Sequence, residues 1–308
     1  MRQRKMIIDC DPGYDDAVAI LLAALHPEIS IQAITTVAGN VEVDKTSRNA
    51  LQLCELAGMP DVPVARGAVK PLMKPLTTAY EFHGETGLGG ANLRQPEKQL
   101  EPDHAVDVLI NKILSEDEIT VVAVGPLTNI ALALSKQPEI KERIDELIIM
   151  GGGSAGNITP AAEFNIFVDA EAAKTVFESG VPITLLSLDV TQEVLATPKI
   201  VDEIQGIHSP ISEFITDLFQ YFYQNHGRGP AMHDVCAVAY CIDPSIFQTV
   251  ACHVDIETKG EFTYGMTVID RSDRASKGKN VQFAIDVDQE RFWKLLINSL
   301  QNAASTVS

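Results

Sequence analysis

The chain has 308 residues and carries 24 Lys and Arg against 42 Asp and Glu, a formal net charge of −18. With no cluster of Lys and Arg beyond the N-terminal tip, that balance excludes a nucleic-acid surface. No run approaches the roughly 18 apolar residues of a membrane helix, and the basic start leads into an apolar stretch too short for a secretory signal.

The length allows a sizeable core. The five cysteines, odd in number and without metal-ligand spacing, suit a reducing compartment, so a cytoplasmic protein is expected. Met6-Ile7-Ile8 reads as a buried strand and Ala17 to Leu25 as an apolar-periodic helix. Between them lie Asp9, Asp11, Asp15 and Asp16, four carboxylates within eight residues. Pro12-Gly13 ends the strand, which puts the acids at a strand's carboxyl end, where open α/β sheets bind ligands. Crowded carboxylates repel one another unless something positive sits among them. Hard oxygen donors suit Ca²⁺ or Mg²⁺, and Asp11 and Asp16 could supply two arms of one site. Asp15 and Asp16 also fit a simpler role, as negative charge in a helix's first turn.

A second strand is expected over Ile31–Val37, ending at Ala38-Gly39-Asn40, where Asn40 is either a turn former or a ligand contact. A helix follows from about Asp44 to Gly58, then the short strand Val62–Val64. From about Gly67 to Gln99 the pattern loses its period and becomes rich in Gly and Pro. A loop this long in a compact domain is usually functional or disordered, and its aromatic and apolar residues argue for function. His83 stands within it, in Phe82-His83-Gly84-Glu85-Thr86-Gly87-Leu88-Gly89-Gly90.

The alternation resumes with a helix near Ala105–Leu114, the strand Ile119–Val124, a tight turn at Gly125-Pro126 into another helix, and the strand Leu147–Met150. Val124 ends its strand, so its carbonyl is free for a hard cation. Gly151, Gly153 and Gly156 spell G-x-G-x-x-G, yet Asn157-Ile158-Thr159-Pro160 follows instead of an apolar helix, so the dinucleotide fingerprint fails. Read as extended, the next segment puts Glu163 and Asn165 on one face, suited to sugar hydroxyls; capping is the other reading. A strand over Val181–Leu188 ends at Asp189. Helices near Pro198–Gln205 and Pro210–Asn225 follow, the second with an aromatic stripe. His233-Asp234 then opens an apolar helix, where Asp234 is a cap or a ligand. Strands near Val250–Thr258, Gly265–Ile269 and Val281–Val287, with a helix from about Gln289 to Ala303, form a small antiparallel appendage. The expected fold is α/β, an open mostly parallel sheet flanked by helices, with a helical C-terminal region. No repeat or linker divides it, so residues 1–308 are read as one domain.

Four separated segments resemble the inosine-uridine-preferring nucleoside hydrolases, in that family's order and across nearly the whole chain. They are the N-terminal Asp string, Val124-Gly125-Pro126-Leu127-Thr128-Asn129, Met150-Gly151-Gly152 through Phe164-Asn165, and His233-Asp234. The resemblance implies Ca²⁺ held by Asp11, Asp16, the Val124 carbonyl and Asp234, and ribose gripped by Asp15, Asn40, Asn157, Glu163 and Asn165 with Met150 nearby. His233 matches the family histidine near the leaving base, and His83 matches one in the H-G-[ES]-x-G-L segment of pyrimidine-preferring members. Oligomers, dimers or tetramers, are implied as well.

Such a site cleaves the N-glycosidic bond of a ribonucleoside through an oxocarbenium-like ribosyl cation. A carboxylate-rich pocket stabilises that charge, a metal activates water, and Asp11 takes its proton in an inverting attack. His233, aided by His83, is the expected acid for the base. His83 tilts the base preference toward uridine and cytidine, with inosine remaining open. The segment from Tyr221 to Met232 should line the base pocket, while which of its residues contact the base, His226 and Arg228 included, is left open. Two other readings stand beside this one. One is a phosphatase of the haloacid dehalogenase type, with Asp9 and Asp11 as nucleophile and acid. The other is a non-catalytic nucleoside-binding protein.

Overall fold

A computed structural model of the chain describes residues 3–89, 91, 93–274 and 276–307. Gly90 of the glycine-rich segment and Met1 and Arg2 of the basic tip lie outside them. Among the described residues, strands β1 (Arg4–Cys10), β2 (Ile29–Thr36), β3 (Val64–Arg66), β4 (Ile119–Ala123), β5 (Ile144–Met150), β6 (Ile183–Leu186), β7 (Phe247–Ile256), β8 (Thr267–Asp270) and β9 (Val281–Val287) form one sheet. Its order is β3-β2-β1-β4-β5-β6-β9-β7-β8.

Every pairing from β3 through to β9 is parallel, while β7 runs antiparallel to both β9 and β8. The expected antiparallel appendage is therefore the far edge of the main sheet, joined to it where β9 pairs with β6. Central strands bury both faces, which is why they read as continuous apolar runs. In β1, Met6, Ile8 and Cys10 face one core and Ile7 the other, the alternation that a period of two imposes.

The helices are α1 (Tyr14–Leu25), α2 (Val43–Leu56), α3 (Tyr80–His83), α4 (Ala105–Ser115), α5 (Thr128–Lys136), α6 (Phe164–Val168), α7 (Ala170–Phe177), α8 (Leu188–Thr191), α9 (Pro198–Gln205), α10 (Pro210–His226), α11 (His233–Ile242) and α12 (Gln289–Val307). Helices α1, α10, α11 and α12 bury their apolar stripes in one core, while α4, α5 and α7 cover the opposite face. From β1 the sheet grows outward through β2 and β3 on one side and through β4, β5 and β6 on the other. Strand order thus reverses between β1 and β4, and the crevice beyond their carboxyl ends is where such folds bind ligands.

Three expectations need correction. The third strand lies at Val64–Arg66 rather than Val62–Val64, because its pairing with Ile34, Thr35 and Thr36 sets the register. Glu163 and Asn165 do not lie on an extended segment. Glu163 is the N-cap of α6, accepting from the Asn165 and Ile166 N–H groups, and Asn165 sits in the first turn. Directly after it, α7 begins at the cap Asp169, which accepts from Ala172 N–H; the sequence reading had no helix there.

Candidate active site and metal centre

The first turn of α1 is built from the acids themselves. Gly13 N–H donates to Asp16 Oδ2 at 2.8 Å and Asp11 N–H to Asp16 Oδ1 at 3.1 Å, so Asp16 caps the helix as an acid in a first turn does. Asn40, in the loop after β2, donates through its N–H to Asp11 Oδ2 (2.6 Å) and through Nδ2 to the Asp11 carbonyl (3.1 Å) and Asp16 Oδ2 (3.2 Å). Asp11 Oδ1 is fully buried and has no hydrogen-bond partner among the described residues.

Asp234 enters from the first turn of α11. One oxygen each from Asp15, Asp16 and Asp234 lies within 4.8 Å of the others. Asp11 stands just outside this trio, and the sequence reading had given its place there to Asp11 rather than Asp15. Burial, joined by mutual repulsion, pushes Asp11, Asp15 and Asp234 well above the ordinary carboxylate range. Burial raises Asp16 to about 6, held back by the Gly13 N–H.

Above the acids opens a cleft of about 310 Å³, at the lower end of small-ligand sites. Asp15, Asn40, His83, Val124, Met150, Asn157, Glu163, Asn165, His233 and Asp234 all line it. Asp11 and Asp16 lie beneath, with no exposed surface. Asn165 Nδ2 bridges the carbonyls of Val124 (2.8 Å) and Met150 (3.3 Å). The Val124 carbonyl keeps its second lone pair. Glu163 accepts from Gly152 N–H at 2.9 Å, and Asn157 Oδ1 from Phe164 N–H at 2.9 Å. Glu163 and Asn157 are thus held by backbone donors, and Asn165 and Asn40 by backbone carbonyls that their side-chain amides donate to.

His83 Nδ1 accepts from Tyr14 N–H at 3.3 Å and its ring stacks on Tyr14. His233 Nδ1 shares a 2.7 Å hydrogen bond with Thr191. Burial lowers His83 to about 3 and His233 to about 4. Both imidazoles are therefore neutral near pH 7, so each presents the cleft with a neutral ring N–H donor rather than an imidazolium proton.

Asp189 does not reach the cleft. It accepts from Ser154 N–H at 2.7 Å and pairs with Arg271 at 3.0 Å, tying down the glycine loop after β5. Asp9, the nucleophile of the phosphatase reading, is buried away from the cleft, accepting from Thr35 Oγ1 (2.6 Å) and Asn129 Nδ2 (2.8 Å).

A family model described as inosine-uridine preferring nucleoside hydrolase matches residues 6–294. The chain belongs to this family. It is 44% identical to the pyrimidine-specific ribonucleoside hydrolase RihA of Photobacterium profundum over 308 residues, 97% of this chain and 99% of that one. It is 43% identical to the protein of the same name in Salmonella enteritidis, covering 96% of this chain and 98% of that one. Among solved structures, a purine-preferring ribonucleoside hydrolase from Gardnerella vaginalis superposes with a TM-score of 0.92 at 32% identity, over 98% of this chain and 100% of the other. An inosine-guanosine nucleoside hydrolase superposes at 0.91, also 32% identical, over 97% and 99%.

The acids of this nucleoside hydrolase fit a hard divalent ion. Two oxygens bound to one ion at about 2.4 Å can be no more than about 4.8 Å apart, and oxygens of Asp15, Asp16 and Asp234 lie within 4.8 Å of one another. The unpartnered Asp11 Oδ1 and the crowding of buried carboxylates are what a cation would relieve. Three lining residues lie outside the sequence expectations: Tyr14, Phe82 and Gln192. Phe222 and Arg228, from the segment expected to line the base pocket, do line the cleft. His226 stacks on Phe82 and packs tilted against Phe222.

Proposed function

We propose that this nucleoside hydrolase cleaves the N-glycosidic bond of pyrimidine ribonucleosides, uridine and cytidine, with water, and that its ion is Ca²⁺. The observation that carries the reading is a buried Asp11 oxygen without a partner among the described residues, next to the Asp15, Asp16 and Asp234 trio, under a cleft lined by amides and two imidazoles. Pyrimidine preference is supported by the names of two relatives 43–44% identical to this chain and by His83 in the cleft wall.

Asp11, Asp16, Asp234 and the Val124 carbonyl are the ligands in this reading. A bound divalent ion would lower the pKa of a water and orient it. Asp11 takes that water's proton. Asp15, the least enclosed of the N-terminal acids, grips ribose together with Asn40, Asn157, Glu163 and Asn165, which fixes C1′ in place. The same negative wall favours the positive charge that develops on the sugar. His233 and His83 donate hydrogen bonds to the departing base, and displacement in one step inverts C1′.

The chain acts as one domain, since a single sheet spans β1 to β9, and as a dimer or tetramer, for which the exposed Val69, Met73 and Phe262 provide apolar contact surface. A cytoplasmic location suits its five buried free cysteines, and no helix among the described residues is long and apolar enough to cross a membrane. The test is reducing-sugar release from uridine, cytidine, inosine and adenosine. Turnover highest with uridine and cytidine is expected. Faster release from inosine would overturn the base preference, and saturable binding with no release would make the protein a nucleoside-binding one.

A further inference from the structure

The cleft carries unlike charges at its two ends. Four aspartates crowd the floor at the sugar end. Among the lining residues, the one side chain with a permanent positive charge is Arg228. No hydrogen bond or ion pair engages its guanidinium among the described residues, Glu81 at the same mouth included. Arg228 is exposed while the floor acids are buried, and no ion pair joins it to Asp15 or Asp234 among the described residues, which puts it at the mouth of the cleft, away from the floor.

While the side chain is unpaired, its backbone is pinned. Gly227, left-handed at φ 67°, ends α10 with its N–H on the Tyr223 carbonyl at 2.9 Å. Tyr223 Oη donates to the Ala196 carbonyl at 2.7 Å, and Ala196 N–H to the Pro230 carbonyl at 2.9 Å. Leu195 and Ala231 form a bridge, and Met232 N–H donates to the Val194 carbonyl at 2.9 Å. Gly229 packs so closely that a Cβ there would lie 2.1 Å from the Ala196 carbonyl oxygen. Such anchoring holds the Arg228 backbone beside the cleft, and an unpaired guanidinium carried there is a fork for a carbonyl or an anion.

Resting on the hydrolase reading, we propose that Arg228 is a specificity-determining residue that binds a carbonyl oxygen of the pyrimidine base. As water oxygen bonds to C1′ and its proton passes to Asp11, the C1′–N1 electron pair leaves on the base. That charge is delocalised from N1 onto the carbonyl oxygens, and the base takes up a proton from solvent after departure. Positive Arg228 at one end and carboxylates at the other thus match the opposite charges that separate as the bond breaks.

The test compares Arg228→Ala and Arg228→Lys with the wild-type enzyme on two substrates, uridine and p-nitrophenyl β-D-riboside, which has the same sugar but no ring carbonyl. For Arg228→Ala, kcat/KM on uridine should fall roughly 30- to 100-fold, mostly in kcat, while the nitrophenyl riboside changes by less than about threefold. Arg228→Lys should return uridine turnover to within about tenfold of wild type. Inhibition by free ribose should be unchanged in both variants, showing the sugar site intact. Equal losses on the two substrates, or none on uridine, would overturn the proposal. A wild-type enzyme that releases ribose from neither substrate would instead sink the hydrolase reading on which it rests.

Discussion

Replacing Gly39 with alanine puts a methyl group where the Asp11 carboxylate now stands. The added Cβ would lie 2.1 Å from Asp11 Oδ2, 2.9 Å from its Cγ and 2.8 Å from Pro126 Cδ. Gly39 is not in the left-handed region, so the substitution brings no backbone strain and its whole effect is steric. Restoring an ordinary contact moves the carboxylate by about 1 Å. That breaks the 2.6 Å bond from Asn40 N–H, which as a hydrogen bond to a charged group is worth about 1.5–3 kcal/mol. A displacement of this size at a reacting group costs about 100-fold in rate. We therefore expect kcat/KM on uridine to drop about 100-fold or more, divalent-ion affinity to weaken, and stability to fall by about 1–3 kcal/mol. Gly58→Ala is the control. Its φ is +69° with nothing within 4 Å of the new Cβ, so it should cost about 1–2 kcal/mol of stability and leave activity alone. Steady-state kinetics and chemical denaturation measure both. If Gly39→Ala kept kcat/KM within about threefold of wild type with unchanged ion affinity, the placement of Asp11 at the reacting centre would be wrong.

Further outcomes follow from the buried acids and imidazoles. Asp16 and Asp9 have folded-state pKa values raised from 3.8 to about 6 and about 7. In chelator their contribution to stability is therefore greatest below about pH 4 and is lost as pH rises to about 7. Urea midpoints between pH 4 and 8 should show that loss shrinking when a divalent ion is added, and a loss of the same size with and without ion would contradict it. Asp234→Asn removes one of the repelling charges, so in chelator its Tm should exceed that of wild type while its ion affinity drops; a lower Tm would count against the crowding. His233→Ala should lose most activity on the nucleoside whose base leaves least readily, and Thr191→Val, which removes the partner of His233 Nδ1, should lower kcat about tenfold with little change in KM. Uniform losses across substrates for His233→Ala would remove it from contact with the base.

Much of the fold was legible because parallel strands buried on both faces announce themselves as short β-branched runs, and β1, β2, β4 and β5 are of that kind. The helix α7 was not. It follows α6 with only Asp169 between them, and that residue serves as both the end of one and the cap of the next. Phe164-Asn165-Ile166-Phe167-Val168 has the aromatic and β-branched content of a strand, and only the Glu163 cap, fixed by Gly152 across a loop, makes it helical. At the site, the N-terminal acids were legible because they are contiguous. What local sequence does not encode is who meets whom. Tyr14 supports His83 from 69 residues away, Thr191 holds His233 across 42, and Asn129 takes Asp9 out of the cleft across 120. Arg228 and Gln192 face the cleft through backbone pairings between 194–196 and 230–232 that no periodicity reveals.

The proposed hydrolysis depends on an ion that neutralises the buried aspartates. Ribose release from uridine should therefore be followed with enzyme stripped by a chelator and then given Ca²⁺. Release should fall to background in the stripped enzyme and return in proportion to the ion added. An undiminished rate after the protein has been freed of divalent ions would contradict it.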